Sequence, residues 1–191
     1  MRSRFVLGAV AAVLAVAAAP ALHAADQFKV DPVHSSISFQ IEHAGISYVH
    51  GRFNNVSGEF TIDKADPSKS SCSLTIKAES VDTNQKGRDQ HLRGADFFNA
   101  KQFPTISFKS TSFKAVKDGF EVTGEMTMHG ETKPVTFILK GGKETEFPPK
   151  TKRTGYFADF NIKRSDFGMN KMLEAIGDTV YVSVGIEGTQ K

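Results

Sequence analysis

Between residues 28 and 190, apolar side chains fall on every second position in about eight stretches, with hardly any helical pattern between them. Ile37, Phe39 and Ile41 share one parity. So do Val56, Phe60 and Ile62, then Cys72, Leu74, Ile76 and Ala78. Ile106 and Phe108 follow, then Phe120, Val122, Met126 and Met128, then Val135, Phe137 and Leu139. Ala158, Phe160 and Ile162 precede a last set, Val180, Val182, Val184 and Ile186. Strand side chains alternate between faces, so each stretch predicts a strand with one apolar and one wet face. A single domain with one shared apolar face must close that face on itself, as a barrel or a sandwich.

Punctuation between the stretches favours antiparallel, up-and-down pairing. Lys64 to Lys69 reads as a loop, Asp118-Gly119 as a tight hairpin turn, and His129 to Thr132 as a second turn with Pro134 at a strand start. Gly141 to Lys152 predicts a longer exposed connection. Arg164 to Gly177 predicts another, with a helical turn near Met169 to Leu173. Asn84 to Gly94 breaks the alternation and predicts a short helix, capped by Asn84 and ended by Gly94. Leu92, Phe97 and Phe98 would seat this excursion on the barrel. The expected fold class is thus all-β, an eight-stranded antiparallel barrel with a short helix in a connection. Eight strands enclose a space that holds either side chains or one small ligand; parity is the same in both cases, and a filled core is the slightly favoured expectation.

The first 24 residues read as an export signal. Arg2 and Arg4 precede an apolar run from Phe5 to Ala19, broken by Pro20, and Leu22-His23-Ala24 forms a cleavage site with a small residue last. Residues 25–191 are then one domain of the mature protein, expected in the periplasm. The formal net charge of +3 falls to about +1 without the two arginines, which argues against a nucleic-acid partner. Cys72 is the sole cysteine, so no internal disulfide forms, and its inward parity predicts a packed, unreactive thiol. Of the sixteen phenylalanines only Phe5 lies in the signal, so the rest are available to the core.

At four separated places the chain resembles the YceI-like family of exported, lipocalin-like, polyisoprenoid-binding proteins. The first is Asp31-Pro32-Val33-His34-Ser35-Ser36-Ile37-Ser38-Phe39 with Ile41, His43, Gly45 and Gly51-Arg52-Phe53. The second runs from Val81-Asp82-Thr83-Asn84 through Arg88-Asp89 and His91-Leu92-Arg93-Gly94-Ala95-Asp96-Phe97-Phe98 to Phe103-Pro104-Thr105-Ile106-Ser107-Phe108. The third is Gly124 to Gly130 with Thr132-Lys133-Pro134-Val135, and the last is Arg164-Ser165-Asp166-Phe167-Gly168-Met169. Gly94 stands where the family more often has serine. The resemblance implies a lipocalin-like barrel whose apolar pore takes a long isoprenoid tail, such as that of a prenylated quinone. It tips the choice from filled core to pocket.

On that reading Phe39, Phe60, Phe108, Phe120, Phe137 and Phe160 give the wall area, and Met126 and Met128 give adaptable packing. Ile37, Ile41, Leu74, Ile76, Val122, Leu139, Ile162, Val182 and Val184 complete the lining, with His43 at the pore end. Arg88, His91 and Arg93 form a cationic group on the helix that could meet a phosphate or quinone head, against a plainer reading as a solvated face. No metal site is expected: His34, His43, His50, His91 and His129 form neither an i, i+4 helical pair nor a Cys/His cluster. No catalytic residue and no cofactor are expected. Asp31 and His34 lack a serine elbow, and Asp166-Phe167-Gly168 lacks every other kinase motif, so Arg164 and Asp166 read as a local pair. The expected function is a periplasmic carrier for a polyisoprenoid or similar amphiphile, without stable membrane insertion. Two other readings stay open: a prenyl-lipid-modifying enzyme using a pore-mouth histidine, and a non-lipid interaction module with a filled core. A homodimer is also left open.

Overall fold

A computed structural model describes residues 25–191; the expected export signal, residues 1–24, lies outside them. Eleven strand segments form one antiparallel sheet that closes on itself. They are β1 (Asp26–Val30), β2 (Ser36–His43), β3 (Ser47–Phe53), β4 (Val56–Ile62), β5 (Ser71–Lys77), β6 (Val81–Asp82), β7 (Thr105–Val116), β8 (Gly119–Met128), β9 (Glu131–Glu146), β10 (Lys152–Lys163) and β11 (Ile176–Gln190). The order around the sheet is β1-β4-β5-β7-β8-β9-β10-β11, and β11 pairs back to β1. β2, β3 and β6 continue β1, β4 and β5: β2 pairs with β11 and β3, and β6 pairs with β3. The result is an eight-stranded antiparallel barrel in which three neighbouring strands are each broken once.

The breaks have local causes. Pro32 has no backbone donor, and Asp31 Oδ1 accepts from Val33 N at 2.9 Å in an Asx turn between β1 and β2. A 3₁₀ turn, Ala78–Ser80, interrupts the third strand. It is tied to the second break, where Asn54 N donates to Ser80 O at 3.1 Å and Asn55 N to Ser80 Oγ at 3.2 Å.

One end of the barrel is a floor. There Phe28 stacks on Phe60 with centroids 5.3 Å apart, and Tyr156 meets Phe60 edge-on at 5.8 Å. The other end carries the Ala44–Ile46 turn, the His129-Gly130 turn, the connection from 164 to 175, and the helix α1 (Lys86–Arg93). β9 and β10 share a ladder only from Lys140–Glu146 to Lys152–Phe157. Nearer the mouth they part, and Phe137 stacks on Phe160 across the gap at 5.0 Å and 19°.

Several boundaries differ from expectation. The helix starts at Lys86 with Gln85 as its cap, because Asn84 takes a left-handed φ of 61°. The expected long connection from Gly141 is mostly strand: β9 runs to Glu146 through a bulge at Gly141 and Gly142 (φ 107° and 86°), leaving a connection of 147–151. The β7–β8 turn is Lys117-Asp118, one residue early. Pro134 is the fourth residue of β9, paired to Glu125 from β8, on a stretch that shares no ladder with β10. His129 and Gly130 both take positive φ, 54° and 84°, as a two-residue hairpin turn requires. Among the described residues no helix is long and apolar enough to cross a membrane.

Candidate functional site: a blind apolar lumen beneath a polar mouth

The inward faces of the barrel enclose two adjoining spaces of unequal size. Towards the floor lies a cavity of about 90 Å³. Its wall takes in Phe60, Leu74, Ile76, Phe108, Val122, Met126, Phe137, Leu139, Phe160 and Val184 from the expected set, with Ile62, Phe113, Tyr156 and Ile186 beside them. It is apolar throughout and much the smaller of the two spaces. Above it lies a chamber of about 680 Å³, within the ~300–1,000 Å³ range of sites for small organic ligands. Ile37 and Val182 line both spaces and mark the neck. The lumen is therefore narrow in its lower half and wide in its upper half.

The chamber wall holds Phe39, Ile41, His43 and Met128 from the expected set, with Arg88 and His91 at its polar side. Phe120 and Ile162 line neither space; both pack partly buried against the core cluster. Arg93 also lies off the lumen. Its Nε donates to Glu79 O at 2.7 Å and its Nη2 to Val81 O at 2.8 Å, so it clamps the helix to the third strand's break. Sequence reasoning missed Val49, Phe53, Met169, Met172 and Ile176 as chamber lining. Val49 and Phe53 share the parity of β3, but Gly51 between them interrupts the apolar signal.

The polar side is organised around a buried carboxylate. Asp89, 7 % exposed, accepts from Thr83 N at 2.8 Å and from Thr83 Oγ1 at 2.6 Å. Thr83 in turn accepts from Arg88, Nε to Oγ1 at 2.7 Å and Nη2 to the carbonyl at 2.8 Å. This chain fixes the Arg88 stem, while its Nη1 makes no hydrogen bond among the described residues. His91 Nε2 meets Asp96 Oδ2 at 3.1 Å. Opposite stands Arg164, 3 % exposed. Its guanidinium donates to four carbonyls: Gly177 at 2.9 Å, Met169 at 2.7 Å, Lys171 at 2.9 Å and Ile176 at 2.9 Å. The expected Arg164–Asp166 pair does not form; the carboxylate at this turn is Asp178, which accepts from Ser165 N and Oγ. Burial presses the Arg164 pKa down, with Asp178 and Glu174 opposing.

Two other features bear on chemistry. Asp31, His34 and Glu187 bring one ligand atom each within 4.8 Å. Arg153 Nη1 sits among them, 2.6 Å from Asp31 Oδ2 and 2.6 Å from Glu187 Oε1, so a guanidinium already supplies the positive charge a metal would bring. Cys72 lies on the lower cavity wall, and burial pushes its thiol up to about 12.

The same fold is found in known proteins. The model of the YceI-like domain matches residues 28–188. The chain belongs to the YceI-like family. Protein YceI of Salmonella arizonae is 38 % identical over 169 residues, covering 87 % of this chain and 88 % of that protein; its Salmonella heidelberg counterpart matches to the same extent. Among solved structures, the YceI protein of Campylobacter jejuni superposes with a TM-score of 0.70 at 27 % identity, covering 78 % of this chain and 90 % of its own. BcnA of Burkholderia cenocepacia gives 0.75 at 23 % identity, over 83 % of this chain and 98 % of its own. A Saccharophagus degradans domain described as polyisoprenoid binding, and implicated in plant cell wall breakdown, gives 0.65 at 16 % identity, over 86 % of this chain and 98 % of its own. The last two likenesses show the shared YceI-like fold.

Proposed function

We propose that this protein is a periplasmic carrier that holds the tail of a polyisoprenoid, or of another long-chain amphiphile such as a prenylated quinone, inside the barrel and leaves the head at the mouth. The observation that carries the reading is the blind lumen: an apolar lower cavity with an aromatic floor, opening through one neck into a chamber of about 680 Å³. Moving such a tail out of water is worth about 0.8 kcal/mol per methylene-sized group before association costs. A blind tube accepts the tail first. The head is then left beside Arg88, His91 and His43, where Arg88 has a free guanidinium edge for an anionic or carbonyl oxygen. On this reading residues 1–24 are a cleaved export signal, and the protein performs no chemistry of its own. The resemblance to a polyisoprenoid-binding domain supports the ligand class.

The test is extraction of the purified, exported protein with organic solvent, read by mass spectrometry. Recovery of a prenyl-chain lipid in near-stoichiometric amount is expected. Empty extracts, together with no uptake of a prenylated quinone by the stripped protein, would end the proposal.

A further inference from the structure

We infer that the Phe39–Gly51 pair gauges tail length, resting on the carrier reading above: Gly51 holds the Phe39 ring back from the neck. Gly51 faces inward on β3, sharing the parity of Val49 and Phe53, and lies directly across from Phe39 on β2. A Cβ at position 51 would stand 2.4 Å from Phe39 Cζ and 2.9 Å from Cε1 and Cε2. Those are its three nearest neighbours, so the ring tip occupies the space that a side chain at 51 would need. The bare backbone is a seat that lets a large ring lie against the wall of the barrel.

The seat stands beside the residues shared by the two spaces. Phe39 lines the upper chamber, and its partner on β11 is Val182, which lines both spaces. Ile37, the other neck residue, is two positions before Phe39 on the same face. If the ring is pushed off its seat, Phe53 limits its movement on one side: the two rings are 5.7 Å apart, and Phe53 is braced edge-on by Phe98 at 5.5 Å. The open directions are the chamber and the neck. A methyl group at 51 therefore drives Phe39 into the path a tail must take towards the lower cavity.

Four other glycines lie against aromatic rings, and they behave differently: Gly130, against Phe103, and Gly142, against Tyr156, take φ of 84° and 86°, where any side chain is strained whatever the space. At Gly124 a Cβ would stand 2.5 Å from Phe108 Cζ but also 2.5 Å from Lys109 O, and at Gly188 it would meet Phe60 Cζ at 2.6 Å and Phe28 Cβ at 2.9 Å. Substitution there strains backbone or fixed core. At Gly51 all three nearest atoms belong to the tip of one side chain, so a methyl is accommodated by turning that ring. Position 51 is where lumen width can be changed without rebuilding a wall.

The experiment compares stripped wild type, Gly51→Ala and the double variant Gly51→Ala/Phe39→Leu for equilibrium binding of farnesol, geranylgeraniol and an octaprenyl alcohol, with thermal melting as a fold control. In Gly51→Ala, affinity for the octaprenyl alcohol is expected to fall about tenfold while farnesol stays within about twofold, the scale of a one-methyl overpacking clash. Adding Phe39→Leu should restore the long alcohol. Phe39→Ala alone, which needs no room at 51, should raise the ratio of long- to short-tail affinity; it decides the matter if Gly51→Ala does not fold. Equal loss for all three alcohols in a variant that melts like wild type, or no loss at all, overturns the gauge and leaves the carrier intact. Wild type that takes up none of the alcohols overturns the carrier reading itself.

Discussion

Replacing Arg164 with methionine should be the most costly single change at the mouth. The guanidinium is 3 % exposed and holds four carbonyls, those of Met169, Lys171, Ile176 and Gly177, which lie on both sides of the turn leading into β11. Methionine matches the length of the stem and supplies no donor. Each hydrogen bond to a charged group is worth about 1.5–3 kcal/mol net, but bonds to one guanidinium do not add, and Lys171 and its neighbours are open to water that can replace part of the loss. The expected cost is about 3 kcal/mol. With a slope near 2 kcal/mol per molar urea, that lowers the midpoint by about 1.5 M. Arg164→Lys should recover less than half, because one ammonium on a flexible stem cannot reach four carbonyls spread over nine residues of chain. Met169, Met172 and Ile176 line the chamber, so tail uptake should fall at temperatures where far-UV circular dichroism still reports a native sheet. A Met variant that loses less than about 1 kcal/mol in urea refutes the reasoning, because four carbonyls cannot lose a buried cation so cheaply.

Other predictions test separate parts of the molecule. Cys72, with its thiol pushed up to about 12 by burial, should resist an aromatic disulfide reagent in the folded protein and react about a hundredfold faster in urea; equal rates would remove it from the cavity wall. Asp31 has its carboxyl held well below the usual range, chiefly by hydrogen bonds from His34 and Arg153. A lowered folded-state pKa gives stability that is present above about pH 4 and lost as pH falls through the carboxylate range. Asp31→Asn should therefore be less stable than wild type at neutral pH, with the gap narrowing in acid; parallel pH–stability curves would contradict it. Arg88→Gln should weaken binding of a prenyl phosphate about tenfold and leave the matching prenyl alcohol unchanged, a contrast that equilibrium binding reads directly.

How much of this was legible in the chain follows from what side-chain parity can carry. Each of the eight alternating stretches lies on one of the eight barrel strands, because alternation is imposed by the pleat and survives any twist. Breaks left no such mark: β1 has two buried inward residues, Phe28 and Val30, and β6 is two residues long, too short for a period to appear. The clamps made by Arg93, expected in the head-group cluster, and by Arg164, expected to pair with Asp166, are not legible because their partners are backbone carbonyls, which carry no residue identity. Bore was illegible for a different reason. Parity says which way a side chain points and nothing about the distance to the opposite wall, so Phe120 and Phe108 look equivalent in sequence while only Phe108 lines the cavity.

The unequal bore has a structural origin in the broken strands. Towards the floor every strand of the ring has a ladder on each side, including β1 between β4 and β11 and β9 against β10 from Lys140 to Glu146, and ring stacks such as Phe28 on Phe60 fill the space. Above them the enclosure is completed by the helix, by the turn organised by Arg164 and by the run of rings Phe39, Phe53 and Phe98. Loops and side-chain ends can stand farther from the barrel axis than a hydrogen-bonded ladder, whose strand spacing is fixed near 4.8 Å. The upper space is wide because its walls are not all sheet. The same substitution of loop for ladder brings Arg88 and His91 to the mouth, since a continuous third strand would leave no room for the helix that carries them. Cavity and polar rim are thus two consequences of the interruption at Asp31, Asn54 and Ser80.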